Sequence, residues 1–339
     1  MYLSVWALYD RKTLENITDF CKTVQISGDV QQCARKLDIN MAYSIRDKNQ
    51  PNAQIGPGTI IYVCLDFKEI YRGVVVDREI NSGAQEITFT AYDYLMYFLR
   101  SKVTYNFQNI ESEYAVEKIC KDLGVMYNYI PTTGIKINRL IQNKTAYEAI
   151  MEIYTQVNKV NNIKYMPYAD YDMFSVMEKG KVITNPEWHS YTGTVDVNAV
   201  LSPDLNMAGT VYKDTSSNMV NKVKIYDENG NAIGVTELED MIKFYGVFQE
   251  EYQKEENKDP VTEARKLLHG IDREFSVTAI GDWRCRTGYA MQVKIPYIDI
   301  LADTIMFIDG DTHTWELASG KYTMDLKLSY YNTMDAKEE

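Results

Sequence analysis

Short runs in which apolar and polar residues alternate dominate the first 92 positions of the chain. The segment 61–67 (IYVCLDF) alternates throughout, 70–76 (IYRGVVV) is a second apolar run, and 87–91 (ITFTA) alternates again. The stretches PNAQIGPGT and NSGAQ between these runs have the composition of turns. The pattern predicts several short strands and no long helix, which is typical of a small β-barrel or sandwich.

The pattern changes from strand to helix within the stretch TFTAYDYLMYFLRSK. Tyr92 still belongs to the alternating run, whereas Leu95 and the apolar residues after it recur at helical spacing. Asp93 is the predicted N-cap of a helix over 94–100, since its carboxylate can accept from free backbone N–H groups. A helix this short is not stable alone. We therefore expect it to lie against an apolar surface, at the open end of the barrel that the strand completes.

Helical spacing continues between positions 109 and 160. The segment SEYAVEKICKDLG carries an apolar helical stripe and ends at Gly124. The segment TAYEAIMEIYTQVNKV begins with Thr145 and Glu148, which fit a capping box. Strands are predicted at 163–168 and 173–177, so this part of the chain is a small α/β unit.

Strand patterns return from about residue 186. Asn229-Gly230 lies between two strand-like runs and predicts a β-hairpin. DPVTEARKLLHG predicts a helix with Asp259 as N-cap, Pro260 at its first position and Gly270 after its end. Further strands are predicted at 274–280, 289–295, 304–308 and 321–330, followed by a frayed acidic tail, NTMDAKEE.

These patterns predict an α+β, mainly β protein with two β-barrels joined by a small α/β domain. The first barrel with its closing helix covers 1–107, and the linking domain covers 108–190. The second barrel covers 191–335 and carries a helical insertion at about 237–272.

Composition narrows the function classes. The formal net charge of −12 argues against binding nucleic acid through phosphate neutralisation. No run of about 18 apolar residues occurs, and the N-terminal MYLSVWALYDRK is interpreted as a first strand and not a signal peptide. The five cysteines lack any CxxC spacing, which predicts reduced, mostly buried thiols in a protein folded in a cytosol. The 27 tyrosines suit either strands or interfaces.

Candidate catalytic chemistry is sparse. The three histidines, His189, His269 and His313, lie in no hydrolase or metal-binding motif. The segment IDGDTHTWE has the most metal-like composition, but we interpret Asp309-Gly310 as a hairpin turn with polar flanks. The loop GDWRCRTG is predicted to be a turn between strands, and the acidic run EEYQKEENKD a solvated surface. We therefore predict no catalytic, cofactor or metal site.

Several segments, taken in order, carry a resemblance to a known family. They are AYDYLMYFLRSKVTYNF, NMVNKVKIYDENGNAIG followed by KFYGVFQEEYQ, VTAIGDWRCRTGYAMQVKIP, and MFIDGDTHTWELASGKYTMDLKL. Together they resemble the baseplate hub proteins of contractile phage tails, the late-control-protein-D family, and above all the hub of defective-prophage tails and tail-like bacteriocins. The sequence departs from this resemblance at PYIDILADTI, where a clearer strand is expected. The positions that carry the family signature are Tyr92, Asp93, Leu95, Gly246, Gly281, Asp282, Gly288, His313 and Trp315.

The resemblance implies a non-enzymatic homotrimer in which each subunit carries two barrels similar to the tube protein. Such a hub adapts the sixfold inner tail tube to the threefold spike. The implied partners are the tube or tube-initiator protein, the spike or tip protein and other baseplate proteins, with the tape-measure protein as a further candidate. The implied location is the bacterial cytoplasm during assembly and then the baseplate of the released particle, without membrane insertion or specific nucleic-acid binding. The resemblance fits a DNA-carrying phage and a headless bacteriocin equally.

Two alternatives come from other classes. A tail-associated module that binds or hydrolyses cell-wall glycan would use Tyr and Trp platforms, but a hydrolase also needs paired carboxylates or a Cys/His site in a pocket. A tube protein would carry one barrel and a spike would carry repeated β-helix sequence, so neither matches the pattern.

Overall fold

The computed structural model describes residues 2–44, 53–189, 193–256 and 258–337, without the side chains at 188, 189 and 193. The chain forms two compact units. The larger unit contains residues up to Thr210 together with those from Ser276 onwards, and the smaller unit contains Val211–Phe275. Strands dominate and five α-helices occur within the described ranges, so the α+β, mainly β fold class is confirmed. No helix in these ranges is long and apolar enough to cross a membrane.

The N-terminal part of the larger unit is an antiparallel sheet wrapped around one apolar core. Its strands are β1 (Leu3–Tyr9), β2 (Thr13–Asn16), β3 (Cys21–Asp29), β4 (Gln32–Ala42), β5 (Ile60–Leu65), β6 (Lys68–Asn81) and β7 (Glu86–Asp93). They pair in the order β3-β4-β7-β6-β5-β1-β2. Alternate residues point inward, as the sequence pattern predicts; the core includes Val5, Val24, Leu37, Ile39, Ile61, Val63 and Phe89. Phe67 lies in the turn after β5 and is exposed. The alternating run predicted over 61–67 therefore ends at Leu65.

The segment after β7 corrects two details of the predicted strand-to-helix switch. Helix α1 (Met96–Arg100) begins two residues later than predicted, and its N-cap position is Leu95, not Asp93. The Asp93 carboxylate still accepts from the Leu95 backbone N–H, at 3.0 Å. Leu95 and Phe98 are buried in a core that the α/β part shares with residues of β4 and β6, and the Phe98 ring lies 4.9 Å from the Phe174 ring.

The α/β part follows directly. Its elements are β8 (Lys102–Glu111), α2 (Ser112–Asp122), β9 (Tyr127–Tyr129), β10 (Lys136–Thr145), α3 (Ala146–Asn161), β11 (Tyr165–Asp170) and β12 (Met173–Glu178). The predicted capping box at α3 is confirmed: Thr145 Oγ1 accepts from the Glu148 N–H at 3.1 Å, and the Glu148 carboxylate accepts from the Thr145 N–H at 2.8 Å. Helix α3 is buried on all sides over its middle, because every residue from Ala149 to Thr155 is buried, and it anchors this part.

The C-terminal part joins the N-terminal sheet through strand pairing. It comprises β13 (Lys181–Val182), β14 (Thr184–His189), β15 (Gly193–Asn198), β16 (Val200–Leu201), β17 (Met207–Thr215), and later β21 (Asp272–Ile280), β22 (Tyr289–Val293), β23 (Thr304–Glu316) and β24 (Lys321–Ser329). Strand β23 pairs with β22 and β24 and also with β3, so 14 strands of the described residues form one sheet. A 3-10 turn at Asp299–Leu301 occupies the segment where a clearer strand was expected.

Two predictions about the end of the chain were wrong. Asp309-Gly310 is not a hairpin turn, because it lies inside β23, where a bulge shifts the register against β24. The tail is not frayed over its described length, because it contacts other elements. Tyr147 donates a hydrogen bond to Asp335 at 2.8 Å, and the Asn332 side-chain amide donates to the Lys179 carbonyl at 2.8 Å.

The smaller unit contains a three-stranded sheet and two helices. Strand β18 (Lys222–Tyr226) pairs antiparallel with β19 (Ala232–Glu237) and parallel with β20 (Gln249–Gln253); the helices are α4 (Glu239–Tyr245) and α5 (Pro260–Leu267). The hairpin predicted at Asn229-Gly230 is confirmed, with Gly230 at φ +80°. Asp259 caps α5 as predicted, by accepting from the Thr262 N–H at 2.8 Å. The helix ends at Leu267, before the predicted Gly270.

Candidate functional site: a buried charged and aromatic junction

The pairing of β3 with β23 brings two opposite charges together inside the larger unit. Arg35 on β4 forms a two-pronged contact with Asp311 on β23, with Nη1 2.9 Å from Oδ1 and Nη2 bonded to Oδ2. Gly28 on β3 faces Asp311, and a Cβ there would lie 2.5 Å from Arg35 Nη1. The absence of a side chain at Gly28 therefore allows the guanidinium to reach the carboxylate. This pair and the side chains around it are called the junction below.

Asp311 is held as a carboxylate although its side chain is fully buried. Burial alone would raise the pKa of Asp311, but the Arg35 charge and hydrogen bonds outweigh it and hold that pKa below its usual value. The backbone N–H and the hydroxyl of Thr287 donate to Asp311 Oδ1 at 2.6 and 2.7 Å. The loop 281–288 is thereby fastened to both β4 and β23.

Asp93 lies on the other side of Arg35. Its two carboxyl oxygens accept from the backbone N–H groups of Arg35 and Leu95, each at 3.0 Å. Burial raises the pKa of Asp93 to about 7, although these hydrogen bonds and the Arg35 charge act in the opposite direction. Tyr71 donates to the Arg35 carbonyl at 3.3 Å. Asp93 therefore links the end of β7, the start of α1 and the backbone of β4.

His313 is a neutral, fully bonded side chain. Its Nε2 lies 3.0 Å from the Cys285 carbonyl, which can only accept, so Nε2 carries the proton. Its Nδ1 then accepts from the Tyr322 hydroxyl at 2.8 Å. Burial lowers the pKa of His313 to about 4, although the Asp311 charge favours the protonated form. Both ring nitrogens are engaged within the fold, which leaves neither free to bind a metal or to act as a base.

The other parts of the metal-like segment point to the same structural role. Asp309 pairs with the Lys179 ammonium at 2.8 Å. No group of three or more metal-binding side chains forms among the described residues. The thiol of Cys285 is also buried, which raises its pKa to about 12 and leaves it protonated at neutral pH. The side chain of His189 lies outside the described residues.

An aromatic cluster covers the junction. Trp315 stacks on Tyr322 with ring centres 4.4 Å apart, and the Trp283 ring meets His313 edge-on at 4.9 Å. Gly281 makes room for this cluster, because a Cβ there would lie 2.3 Å from the Tyr322 ring. The Trp283 ring also contacts the guanidinium of Arg35, at 5.3 Å. Aromatic packing therefore closes the charged pair off from the side of β24.

The structure brings together most of the residues that carry the family signature. Asp93, Gly281, His313 and Trp315 lie in the junction itself. Asp282 and Gly288 shape its loop. The Asp282 carboxylate accepts from the Arg284 N–H at 3.0 Å, and Gly288 has φ +96° and donates to the Ile308 carbonyl at 3.0 Å.

The remaining signature residues lie elsewhere. Tyr92 and Leu95 flank Asp93 and pack in the α/β core, and Gly246 belongs to the smaller unit, where it ends α4 with φ +82°. Sequence reasoning missed Arg35, Thr287 and Tyr322, which complete the junction. Arg35 could have been found only by looking for a cation that pairs with the acidic residues of IDGDTHTWE. No local signal connects the two, since 276 residues separate Arg35 from Asp311.

Sequence comparison relates the chain to two proteins of Bacillus subtilis over almost its whole length. The profile of the YQBQ-like family matches residues 24–329. The chain is 23% identical over 335 residues to the uncharacterized protein YqbQ of Bacillus subtilis, covering 96% of each. It is 22% identical over 346 residues to the phage-like element PBSX protein XkdQ of the same organism, covering 98% of each.

Structural comparison finds the same fold in tail proteins. The 43 kDa tail protein of prophage MuSo2 from Shewanella oneidensis superimposes with a TM-score of 0.67 at 12% identity, over 97% of this chain and 98% of that one. The E. coli c3393 protein, a component of the type VI secretion system, superimposes with a TM-score of 0.50 at 10% identity, over 94% of this chain and 76% of that one. The c3393 protein is itself described as similar to the T4 bacteriophage tail proteins gp27 and gp5. At these identities the likeness concerns the fold.

Proposed function

The chain belongs to the YQBQ-like family, and from this membership we propose that it is a structural protein of a phage-type tail. The relatives that support this role are the PBSX protein XkdQ and the MuSo2 tail protein, which match this chain almost end to end. The junction supports it as well, because its charged and aromatic groups hold strands and loops of the fold together.

Within the tail, the proposed position is the baseplate hub. The observation that carries this proposal is the pairing of β3 with β23, which joins two β parts of one chain into a single sheet. A subunit built this way can present two β parts to a neighbouring ring while acting as one subunit towards another neighbour. Three such chains would then match a sixfold tube on one side and a threefold spike on the other. The likeness of the c3393 protein to gp27 and gp5 is in keeping with this position.

The proposed partners follow from that position. The chain would form a homotrimer and contact the inner tube or tube-initiator protein, the spike or tip protein and other baseplate proteins. The tape-measure protein is a further candidate, because it lies on the same axis. Assembly would take place in the bacterial cytoplasm, and the mature location would be the tail of the released particle.

Copy number in the assembled particle tests the hub proposal. A reconstruction of the tail by electron microscopy, with this chain identified by a tag, should show three copies on the axis between tube and spike. Both β parts of each copy should lie in one ring of six. Six copies of the chain, or a position away from the axis, would overturn the proposal of a hub. The broader proposal of a structural tail protein would then remain.

We also propose that the chain has no catalytic activity. An assay for peptidoglycan hydrolysis distinguishes the proposed hub from the alternative, a tail module that hydrolyses cell-wall glycan. Purified protein should give no clearing zone in a peptidoglycan gel, with lysozyme as the positive control. The net charge of −12 further predicts no binding of duplex DNA at physiological salt in a gel-shift titration. Reproducible turnover of peptidoglycan would contradict the structural role.

A further inference from the structure

A cavity of about 360 Å³ opens beside the junction, and Arg35, Asp93 and Trp283 lie in its wall. Three segments of the larger unit enclose it: the start of β6, the turn between β11 and β12, and the loop before β22. Its walls are rich in cationic and aromatic side chains, among them Arg35, Arg286, Trp283, Tyr168 and Tyr289. The cavity is large enough for a small ligand or for one side chain of a neighbouring molecule.

Arg286 is the unusual member of this wall. Its guanidinium lies 5.4 Å from the Trp283 ring and 5.6 Å from the Tyr289 ring. Among the described residues, no carboxylate lies within ion-pairing distance of it, and its buried Nε has no hydrogen-bond partner. Burial and the neighbouring Arg35 charge lower the pKa of Arg286, although the Asp311 charge acts in the opposite direction.

The other charges of the wall are already occupied. Glu69 pairs with Arg72 at 2.8 Å, Asp170 accepts from the Asn128 amide at 2.5 Å, and Asp93 accepts from two backbone N–H groups. The Nε of Arg35 is a second buried donor without a partner. In total, five cationic side chains and three carboxyl groups line the cavity of a protein whose net charge is −12. Arg35, Arg72 and Arg284 each pair with a carboxylate. Among the described residues, Arg286 is therefore the one arginine of the wall without an ion pair.

We propose that this cavity is a binding site for an oxyanion, held chiefly by Arg286 with Arg35 beside it. Guanidinium groups bind the planar carboxylate and the tetrahedral phosphate through paired N–H donors, and aromatic walls hold the guanidinium planes in place. The oxyanion could be a free anion such as phosphate or the side-chain carboxylate of a neighbouring subunit. The inference does not depend on the position of the chain in a tail, since it can be tested on the isolated protein.

Calorimetric titration of the purified chain with two probes tests the site and distinguishes the sources. The probes are inorganic phosphate and a capped glutamate (N-acetyl-glutamyl amide), at an ionic strength kept constant with chloride. We expect saturable binding of at least one probe and a rise of roughly 2–5 °C in the unfolding midpoint at saturating concentration. Stronger binding of phosphate indicates a free anion, and stronger binding of capped glutamate indicates an acidic side chain of a partner.

Substitutions separate a binding role of Arg286 from a structural one. Arg286→Met should abolish probe binding and should raise the unfolding midpoint in anion-free buffer, because it removes a half-buried guanidinium that has no ion pair among the described residues. Arg286→Lys keeps the charge but loses the paired donors, so binding should weaken about tenfold or more. Arg100→Gln, at an exposed arginine away from the cavity, should bind like the wild type. The proposal is overturned if neither probe binds saturably, or if Arg286→Met destabilises the chain and Arg286→Lys binds unchanged.

Discussion

His313 and Asp93 are buried in the same junction, yet burial affects their protonation in opposite ways. Burial favours the neutral imidazole of His313, which lowers its pKa to about 4. It likewise favours the neutral carboxyl of Asp93, which raises its pKa to about 7. Between pH 6.5 and 4 the unfolded chain binds a proton at His313 that the folded chain does not, so stability falls as the pH falls. Between pH 7 and 4 the folded chain binds a proton at Asp93 that the unfolded chain does not, so stability rises as the pH falls. The two effects offset each other in the wild type.

Single substitutions should expose each effect. In His313→Gln only the Asp93 effect remains, and the free energy of unfolding should rise as the pH falls from 7 to 4. In Asp93→Asn only the His313 effect remains, and the free energy of unfolding should fall between pH 6.5 and 4. Each change is expected to reach about 3 kcal/mol. Urea unfolding at several pH values measures it, and parallel pH profiles for the two variants would contradict the assigned protonation states.

Gly281 offers a second test at the level of one residue. Gly281→Ala should destabilise the larger unit by about 1–3 kcal/mol, because the new methyl group would overlap the Tyr322 ring and disturb its bond to His313. Gly209→Ala is the control, since Gly209 lies in β17 of the same unit and its added Cβ would meet no atom within 4 Å. Equal unfolding midpoints for the two variants would show that Tyr322 moves aside without cost.

At the level of elements, the sequence predicts what depends on neighbours along the chain. The capping box at Thr145, the hairpin at Asn229-Gly230 and the cap at Asp259 form as predicted, since each uses residues only a few positions apart. Asp309-Gly310 has the composition of a turn, but pairing with β3 and β24 on both sides holds it extended within β23. Local composition cannot report a partner strand that lies hundreds of residues away.

The same distinction explains the candidate site. The signature residues identify the loop 281–288 and the end of β23. The cation that they surround, Arg35, comes from β4, and no signature residue points to it. Asp311 and His313 were interpreted as the exposed flank of a turn, whereas both side chains are fully buried. Their burial follows from the three-strand contact of β23, which is a property of the topology and not of the segment.

A double-mutant cycle tests how strongly β4 and β23 are coupled. Arg35→Met leaves a buried carboxylate unpaired, and Asp311→Leu leaves Arg35 and Thr287 without their acceptor, so each should cost about 3–5 kcal/mol. The double variant should cost less than the two single variants together, by about 0.5–3 kcal/mol, since neither charge is then left alone. Strict additivity in urea unfolding would mean that the pair contributes no mutual stabilisation.

At the level of the whole molecule, the smaller unit is inserted between two neighbouring strands of the larger one. The chain leaves the larger unit after Thr210 and returns at Ser276. Strands β17 and β21 are neighbours in the sheet there, and the Ile280 N–H donates to the Asn206 carbonyl at 2.8 Å. The larger unit therefore has adjacent ends at the insertion point, which is the geometry that tolerates removal of an inserted segment.

Replacing Val211–Phe275 by the turn Asn-Gly should leave the larger unit folded, with its unfolding midpoint within roughly 5 °C of the wild type. The excised segment should not fold stably alone, because the apolar cluster of its described residues has three buried members, Val223, Ile225 and Ala264. Circular dichroism melts of both proteins provide the measurement. An insoluble deletion variant would contradict the independence of the larger unit, and a cooperative melt of the isolated segment would contradict the predicted instability of the smaller one.

The pairing of β3 with β23 also has a consequence for biosynthesis. Gln25 and Thr314 touch across it, 289 residues apart. At a translation rate of about 5–20 residues per second, β3 waits roughly 15–60 s on the ribosome before its partner strand emerges. During that time its edge is open to pairing with other nascent chains. Truncated products never cover that edge and stay prone to aggregation or proteolysis. The strand pairing thus acts as a check on complete synthesis, which favours the incorporation of intact subunits into a particle.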